Sequence, residues 1–272
     1  MLLHNKLSPA ELVTQAGYAN ARANFMRLVL HCAIDSLQHA ERELSRRWSL
    51  FCAKDGAMRP PQKRSNDTKL RPDENAITYE LGDYIHEYLR GLVSDHDYRS
   101  VHFVFEQPKG SKKLAGSKRK RLDLRWQAYI EGGPEFVVEA KPLFRESDIE
   151  SRYLGDEGLG RFTRMEEPFT QDELGALLGY VEQDTADDWQ KCIRAAVSNG
   201  KCDLLVDVDL GWNKTYSTKH GRDASLPPMW ILHLLIRYPL PPVAPVVPIV
   251  TTAVKATGST KSKRAAKPEA RS

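Results

Sequence analysis

The sequence predicts an α/β protein with a mixed central β-sheet flanked by helices and with a helical N-terminal extension. Apolar residues recur at helical spacing over 8–51 and 74–93. Apolar and polar residues alternate over 121–141, as in a pair of half-buried strands. Further strands are expected in three short apolar runs, 101–107, 203–210 and 230–238. The last two should pair with each other, with 214–222 as their connection.

The composition is that of a folded domain with additions. The chain has 272 residues, 41% of them hydrophobic, and a formal net charge of +4. Its four cysteines include no Cys-x-x-Cys pair, which argues against a structural zinc site or a disulfide framework. No segment approaches the roughly 20 apolar residues of a membrane span, and no signal peptide is recognisable. We therefore expect a cytoplasmic protein with no membrane partner.

The first 53 residues are expected to form the helical extension. Ser8, Pro9 and Glu11 have the spacing of a helix start, with Ser8 as the N-cap. A longer amphipathic helix should follow from about Asn20 to Phe51. Packing against the core or a second copy is its favoured role, and contact with DNA or a partner is the alternative. The rest divides into a polar linker, a core and a Pro-rich, then basic, disordered tail, at 54–73, 74–240 and 241–272.

The stretch 121–141 has the pattern of a β-hairpin. Two alternating segments flank Gly132-Gly133-Pro134, which is a turn signal. If the turn contains an odd number of residues, Asp123, Glu139 and Lys141 share one face, because register parity decides which side chains lie together. An even number would place Asp123 on the opposite face from the other two. The apolar face would consist of Leu122, Leu124, Trp126, Phe136, Val138 and Ala140.

This set of polar residues suits hydrolysis of a phosphodiester bond. Two carboxylates held close repel each other, and a divalent cation removes the conflict by taking oxygen ligands from both. Such a cation can also bind a phosphate oxygen and activate a water. Lys141 would orient that water or neutralise charge that develops on phosphorus. A solvated hairpin face with an ordinary salt bridge is the alternative interpretation.

Asp123, Glu139 and Lys141 resemble the core motif of the PD-(D/E)xK nuclease superfamily, which has the restriction-endonuclease-like fold. Asp123 matches the aspartate of the motif, and Glu139 and Lys141 match its Glu-any-Lys pair. Leu122 stands where the proline of the motif would be. The resemblance covers the central half of the chain. It implies a restriction-endonuclease-like core and a site for Mg²⁺ or Mn²⁺, held by Asp123, Glu139 and the backbone carbonyl of Ala140.

The resemblance also implies an acidic metal ligand on the helix that precedes the first core strand. Glu80 lies at the edge of the apolar stripe of 74–93, and it is the residue that we expect in this role. Asp83 and Glu87 are its competitors on the same helix. A capping or solvated role for Glu80 is the alternative.

A basic segment, 109–121, leads directly into the strand of Asp123. A nucleic-acid backbone that enters the site would meet it, and basic loops gain affinity from counterion release. His220 is a candidate neighbour of phosphate or metal, whereas His233, inside an apolar strand, is expected to be a hydrogen-bonded core histidine. The expected nucleic-acid contacts are Lys112, Lys113, Lys118, Arg119, Lys120, Arg121 and His220.

Three later segments bear on the fold and on cofactors. Thr170 and Glu173 have the spacing of a capping box, which predicts a helix from Leu174 to about Asp184 and resembles the crossover helix of the superfamily. Residues 189–198 should form another helix. The glycines of 155–160 lack both the Walker ending and a preceding strand in dinucleotide-binding order, which argues against ATP or NAD as a cofactor.

The sequence therefore predicts a metal-dependent nuclease that hydrolyses nucleic-acid phosphodiester bonds, with DNA as the expected substrate. Asp123, Glu139 and Lys141 are the expected catalytic residues. The resemblance is to endonucleases or exonucleases of bacterial antiviral defence or of mobile elements, and a homodimer or a protein partner is compatible with it. The alternative is a non-catalytic nucleic-acid-binding or assembly subunit with a degenerate nuclease fold.

Overall fold

The computed structural model describes most of the chain up to residue 240. The described residues are 6–60, 70–108, 121–163, 168–200, 202–212, 214–222 and 226–240. The helices are α1 (Pro9–Gln15), α2 (Asn20–Arg46), α3 (Trp48–Cys52), α4 (Glu74–Gly91), α5 (Gly160–Thr163) and α6 (Ala186–Ser198), and short helical turns lie at Asp97–Ser100, Ile149–Tyr153 and Gln183–Thr185. The strands are β1 (Met58–Arg59), β2 (Arg71–Pro72), β3 (Val101–Pro108), β4 (Arg121–Ala128), β5 (Glu135–Pro142), β6 (Leu174–Glu182), β7 (Leu204–Val208), β8 (Thr215–His220) and β9 (Met229–Tyr238).

Seven of these strands form one mixed sheet, in the order β3-β4-β5-β6-β9-β8-β7. The three central strands, β5, β6 and β9, run parallel to one another. The two outer strands on each side pair antiparallel with their neighbours. The predicted class, a mixed α/β protein whose central sheet is flanked by helices, is confirmed.

Each face of the sheet has its own hydrophobic core. On one face, α1, α2 and α4 pack against alternate hairpin side chains, among them Leu124, Trp126 and Val138. On the other face, α6 and the segment Ile149–Tyr153 pack against Val137 and residues of the central strands. The hairpin therefore alternates as predicted from Leu124 onward, whereas Leu122, which was predicted on the first face, packs in the second core together with Val137.

A buried carboxylate links α2 to the sheet. Glu41 of α2 accepts hydrogen bonds from Trp212 Nε1 at 2.9 Å and from the backbone N–H of Arg237 at 3.0 Å. The Arg237 guanidinium also pairs with it at 2.9 Å, so the buried charge is compensated. The long N-terminal helix thus packs on the core, which was the favoured of its two predicted roles.

The segment 174–182, predicted as a helix, is the central strand β6. Its residues are buried on both faces up to Val181, so no polar alternation reveals the strand. Gly179 was the feature of the sequence that argued against a helix. A Cβ at Gly179 would lie 2.6 Å from Leu235 and 2.8 Å from Leu143, so this strand needs a residue without a side chain to fit between its neighbours.

The segment 214–222, predicted as a connection, contains strand β8. This strand lies between β7 and β9 and pairs with both of them. The predicted direct pairing of β7 with β9 is therefore wrong. The residues of β8, Thr-Tyr-Ser-Thr-Lys-His, are mostly polar and gave only a weak strand pattern.

Some predicted features lie outside the described residues, namely the basic loop 109–120 and the tail 241–272. The predicted linker is described at its two ends, where β1 and β2 pair antiparallel. Among the helices that the structure describes, none is both long and apolar enough to cross a membrane.

The position of α4 determines where its first acidic residue lies. Asp73 is the N-cap, and its Oδ1 accepts hydrogen bonds from two backbone N–H groups of the first turn, at 2.9 and 3.1 Å. Glu74 is therefore the first helical residue. Gly82 allows the helix to lie close to β3, because a Cβ at this position would be 2.6 Å from the ring of Phe105.

Gly82→Ala should lower the free energy of unfolding, although alanine is the better helix former by about 1 kcal/mol. The added methyl group would overlap the Phe105 ring, and overpacking a core costs about 1–3 kcal/mol. Gly91→Ala, at the other end of α4 with open space around it, is the matched control and should be neutral or stabilising. Urea unfolding measures both variants, and equal stabilities would contradict the close approach of α4 to β3.

Candidate active site

The register of the hairpin brings the three predicted catalytic residues together. Seven residues separate the paired Gln127 and Glu135, which is the odd number that a shared face requires. The same register places Asp123 beside Glu139, and Lys141 follows two residues later on the same face of β5. The condition set by the sequence is therefore met.

Asp123 is held by the backbone of the neighbouring strand. Its Oδ2 accepts a hydrogen bond from the N–H of Ala140 at 2.7 Å. Regular pairing of β4 with β5 ends just before this point, at Leu124 and Val138. The carboxylate thus takes the place of a backbone acceptor where the two strands stop pairing. The Ala140 carbonyl as a metal ligand stays a prediction.

Four charged side chains form a continuous ion-pair network. Lys141 Nζ lies 2.8 Å from Glu139 Oε1 and 3.0 Å from Glu74 Oε1. Glu74 Oε2 accepts a hydrogen bond from Arg152 Nη2 at 2.7 Å. We call Glu139, Lys141, Glu74 and Arg152 the ion-pair network. It joins β5 to the start of α4 and to the helical turn Ile149–Tyr153.

Burial raises the pKa of both hairpin carboxyls. The Glu139 side chain is 3% exposed, and its Oε2 has no hydrogen-bond partner among the residues that the structure describes. Burial, reinforced by the charge of Asp123, raises the pKa of Glu139 well above its usual value. Burial also raises the pKa of Asp123, although the charge of Lys141 and the Ala140 N–H oppose the shift.

Lys141 stays protonated in this environment. Burial alone would lower the pKa of its ammonium group, but the carboxylates of Glu139, Asp123 and Glu74 raise it above its usual value. A protonated lysine donates hydrogen bonds and carries positive charge, so Lys141 suits the orientation of a water or phosphate oxygen and not the removal of a proton.

Glu74 is the helical acid that contacts Lys141, whereas the described contacts of Glu80 lie elsewhere, and its role as a metal ligand stays a prediction. The Glu80 carboxylate forms an ion pair with Lys54 and accepts a hydrogen bond from Tyr84 OH at 2.6 Å. The competitors Asp83 and Glu87 are exposed on the same helix. Glu74 could have been found from its place at the helix start. At the N-terminus of a helix, the helix dipole favours an acidic side chain. The end of the helix can also face a site, whereas its apolar stripe faces the core.

A further acidic residue, Glu106 of β3, lies opposite Asp123. Phe105 pairs with Leu124, so Glu106 and Asp123 are the next residues along the two strands. Its φ of 50° is in the left-handed region that non-glycine residues rarely adopt. Burial, with the charge of Asp123, raises the pKa of Glu106. The sequence alone does not reveal Glu106 as a site residue, because its place depends on the pairing of β3 with β4.

Five of the predicted nucleic-acid contacts, Lys112, Lys113, Lys118, Arg119 and Lys120, lie outside the described residues. The sixth, Arg121, begins β4 two residues before Asp123. Its side chain is 57% exposed, and its guanidinium lies 3.7 Å from a carboxylate oxygen of Glu106. Its position next to the acids is compatible with contact to a phosphate backbone.

The structure buries His220, which argues against the predicted nucleic-acid contact at this residue. It is 5% exposed, and its Nε2 is hydrogen-bonded to Thr218 Oγ1 at 2.7 Å. The same hydroxyl is hydrogen-bonded to His233 Nε2 at 2.8 Å. Burial lowers the pKa of His233 to about 3, and this residue is the satisfied core histidine that the sequence predicts.

The donors around Glu139 suit a hard divalent cation. Carboxylate oxygens are the ligands that Mg²⁺ and Mn²⁺ prefer, and a cation would satisfy the unpartnered Glu139 Oε2. Within the part of the chain that the structure describes, no group of three or more acidic, histidine or cysteine side chains is arranged to hold a metal ion. The carboxylates of Glu74 and Glu139 instead contact Lys141 and Arg152. The chemistry of these carboxylates therefore fits a divalent cation. Such a cation would compete with Lys141 and Arg152 for the carboxylate oxygens.

Glu139→Gln should remove a pH dependence of stability. Because the native pKa of Glu139 is raised, the native state holds a proton that the unfolded chain loses above the ordinary pKa of 4.5. Wild-type stability therefore falls as the pH rises from this value through the native pKa. The free energy of unfolding of the variant, minus that of the wild type, should rise between acidic and mildly alkaline pH, because the variant has no such proton to lose.

Urea titrations in EDTA at several pH values measure this difference. Glu146→Gln removes a carboxylate from an exposed position and is the matched control. A difference for Glu139→Gln that stays constant with pH would contradict the raised pKa.

Comparisons with known proteins provide no family for this chain. No protein-family model matches it, and neither a curated protein nor a solved structure does. Function is therefore inferred from the side chains around Glu139.

Proposed function

We propose that this chain is a metal-dependent nuclease that hydrolyses phosphodiester bonds of nucleic acid, with DNA as the expected substrate. The observation that carries the proposal is the buried Glu139 and the half-buried Asp123 beside Lys141, with one Glu139 oxygen that has no partner among the described residues. Burying carboxylates in this way is unfavourable for folding. Acids with strongly perturbed pKa values cluster at functional sites, which supports a catalytic role.

Each residue has its own part in the proposed reaction. Asp123, Glu139 and Glu74 would hold Mg²⁺ or Mn²⁺, together with the Ala140 carbonyl. The chemistry supplied by the cation would be Lewis-acid activation of the phosphate and a lower pKa for the attacking water. Lys141 donates a hydrogen bond to the attacking water or to a phosphate oxygen, and its charge stabilises negative charge that develops in the transition state.

The order of the elements supports a restriction-endonuclease-like core as part of this proposal. α4 precedes β3, the first strand of the seven-stranded sheet, and carries Glu74; β4 carries Asp123, and β5 carries Glu139 and Lys141. The PD-(D/E)xK resemblance implies an acid from the helix before the first core strand, and Glu74 meets that expectation where Glu80 does not. Arg121, at the start of β4, would meet the phosphate backbone on the side of the basic loop.

Lys141→Met and Asp123→Asn should each lower cleavage by about 100-fold or more, because each removes a group that acts on the developing charge or on the cation. The assay offers plasmid, linear and single-stranded DNA, and RNA, with Mg²⁺, Mn²⁺ or EDTA. Lys191→Met replaces an exposed lysine of α6 and is the matched control. Wild-type activity in either site variant would contradict the assigned roles.

The same preparations distinguish the nuclease from a binding subunit. Absence of cleavage by the wild type, together with no rise of its melting temperature on addition of Mg²⁺ or Mn²⁺, would contradict the nuclease. Binding of nucleic acid that is equal in wild type and Asp123→Asn would then favour the assembly role.

Glu74→Gln and Glu80→Gln form a matched pair on one helix. Glu74→Gln should lower the affinity for Mn²⁺ and lower cleavage by about 10-fold or more, because it removes a charged oxygen ligand. Glu80→Gln should leave both unchanged, since the Glu80 carboxylate contacts Lys54 and Tyr84. Calorimetric titration with Mn²⁺ gives the affinity, and loss of binding in Glu80→Gln alone would reverse the assignment.

A further inference from the structure

The ion-pair network runs from the interior of the protein to its surface. The exposed fraction of the side chain rises from 3% at Glu139 and 7% at Lys141 to 19% at Glu74 and 33% at Arg152. Arg152 is therefore the outermost member and the one with most freedom to leave. Its contact in the network is with Glu74 Oε2, at 2.7 Å.

Both oxygens of Glu74 are engaged by positive side chains, Oε1 by Lys141 and Oε2 by Arg152. A divalent cation beside Glu74 would place two further positive charges next to these groups, and at such distances like charges repel strongly in a partly buried site. Lys141 is buried and keeps Glu139 as a partner. Arg152 is the group that the repulsion would displace toward solvent.

We infer that Arg152 is a phosphate-binding residue. Glu74 holds its guanidinium until a divalent cation binds to the acids, and Arg152 then contacts the nucleic-acid backbone. This inference rests on the proposed function. A guanidinium presents a planar fork of donors that matches a phosphate, and it is more weakly hydrated than an ammonium group. The displaced Arg152 would lie at the edge of the site, where a phosphate adjacent to the scissile bond would pass.

This exchange makes the cation and the nucleic acid bind cooperatively. Without a cation, Arg152 is neutralised by Glu74 and adds little to nucleic-acid affinity. With a cation, the same side chain is available to a phosphate. Because coupling between two ligands is reciprocal, nucleic acid must raise cation affinity by the same factor. Removal of Arg152 should reduce the coupling in both directions.

Binding of a DNA duplex to the full-length protein tests this in EDTA and in Ca²⁺, which uses the same oxygen ligands as Mg²⁺. Arg152→Gln should weaken binding in Ca²⁺ by about 10-fold, the loss of one charge-assisted contact, and change it by less than about 2-fold in EDTA. Arg145→Gln changes an exposed arginine in the same segment between β5 and β6. This variant should not show the difference between EDTA and Ca²⁺. An equal loss of DNA affinity in EDTA and in Ca²⁺, or no loss in either, would overturn the exchange.

Calorimetric titration with Ca²⁺ in the absence of DNA provides a second readout with an opposite sign. Arg152→Gln removes a competitor for Glu74, so it should bind Ca²⁺ about 3-fold to 10-fold more tightly than the wild type. If Arg152 only held Glu74 in position, the variant would bind Ca²⁺ more weakly, and the inference would be wrong. Ca²⁺ binding by the wild type without any gain in DNA affinity would overturn the exchange alone. No Ca²⁺ binding at all would overturn the proposed metal site together with it.

Discussion

The buried carboxylate of Glu139 is the constraint on which the arrangement of this site depends. An ionised carboxylate in the interior is unfavourable unless charge and hydrogen bonds compensate it. Lys141 compensates one oxygen at 2.8 Å, and the second oxygen has no partner. The start of α4 brings Glu74 to the same lysine, so the positive charge is shared between two acids. The sheet, α4 and the connection after β5 thus meet at one group of charges.

This arrangement differs from that of Glu41, a buried carboxylate of α2. Both of its oxygens are satisfied, by Trp212 and by Arg237. Glu41 therefore links α2 to the sheet without leaving an unused acceptor, as expected of a structural group. Glu139 retains an unused acceptor next to a second carboxylate, Asp123. The contrast within one molecule separates a stabilising buried acid from one that is suited to bind a ligand.

The hairpin and its acids were predictable because they depend on local information. Strand alternation and a Gly-Gly-Pro turn are enough to predict the hairpin, but the sequence left the turn parity open, and only the observed register places Asp123 beside Glu139. The identity of the helical acid was not predictable in this way, because Glu74 reaches Lys141 only through the docking of α4 on the sheet. Strand β6 was mistaken for a helix because burial on both faces removes the alternation that marks a strand. His220 was misplaced for a related reason, since the pairing of β8 with β9 buries it.

The hydrogen bond from Ala140 N–H to Asp123 gives this aspartate two independent reasons to be retained. One is any chemistry of its carboxylate, and the other is support of the β5 backbone where regular pairing with β4 ends. Selection for folding alone would preserve it in a descendant that had lost catalysis. Lys141 and Glu74 have no backbone role of this kind among their described contacts. In a comparison of descendants of this fold, these two side chains would therefore report activity more faithfully than the aspartate.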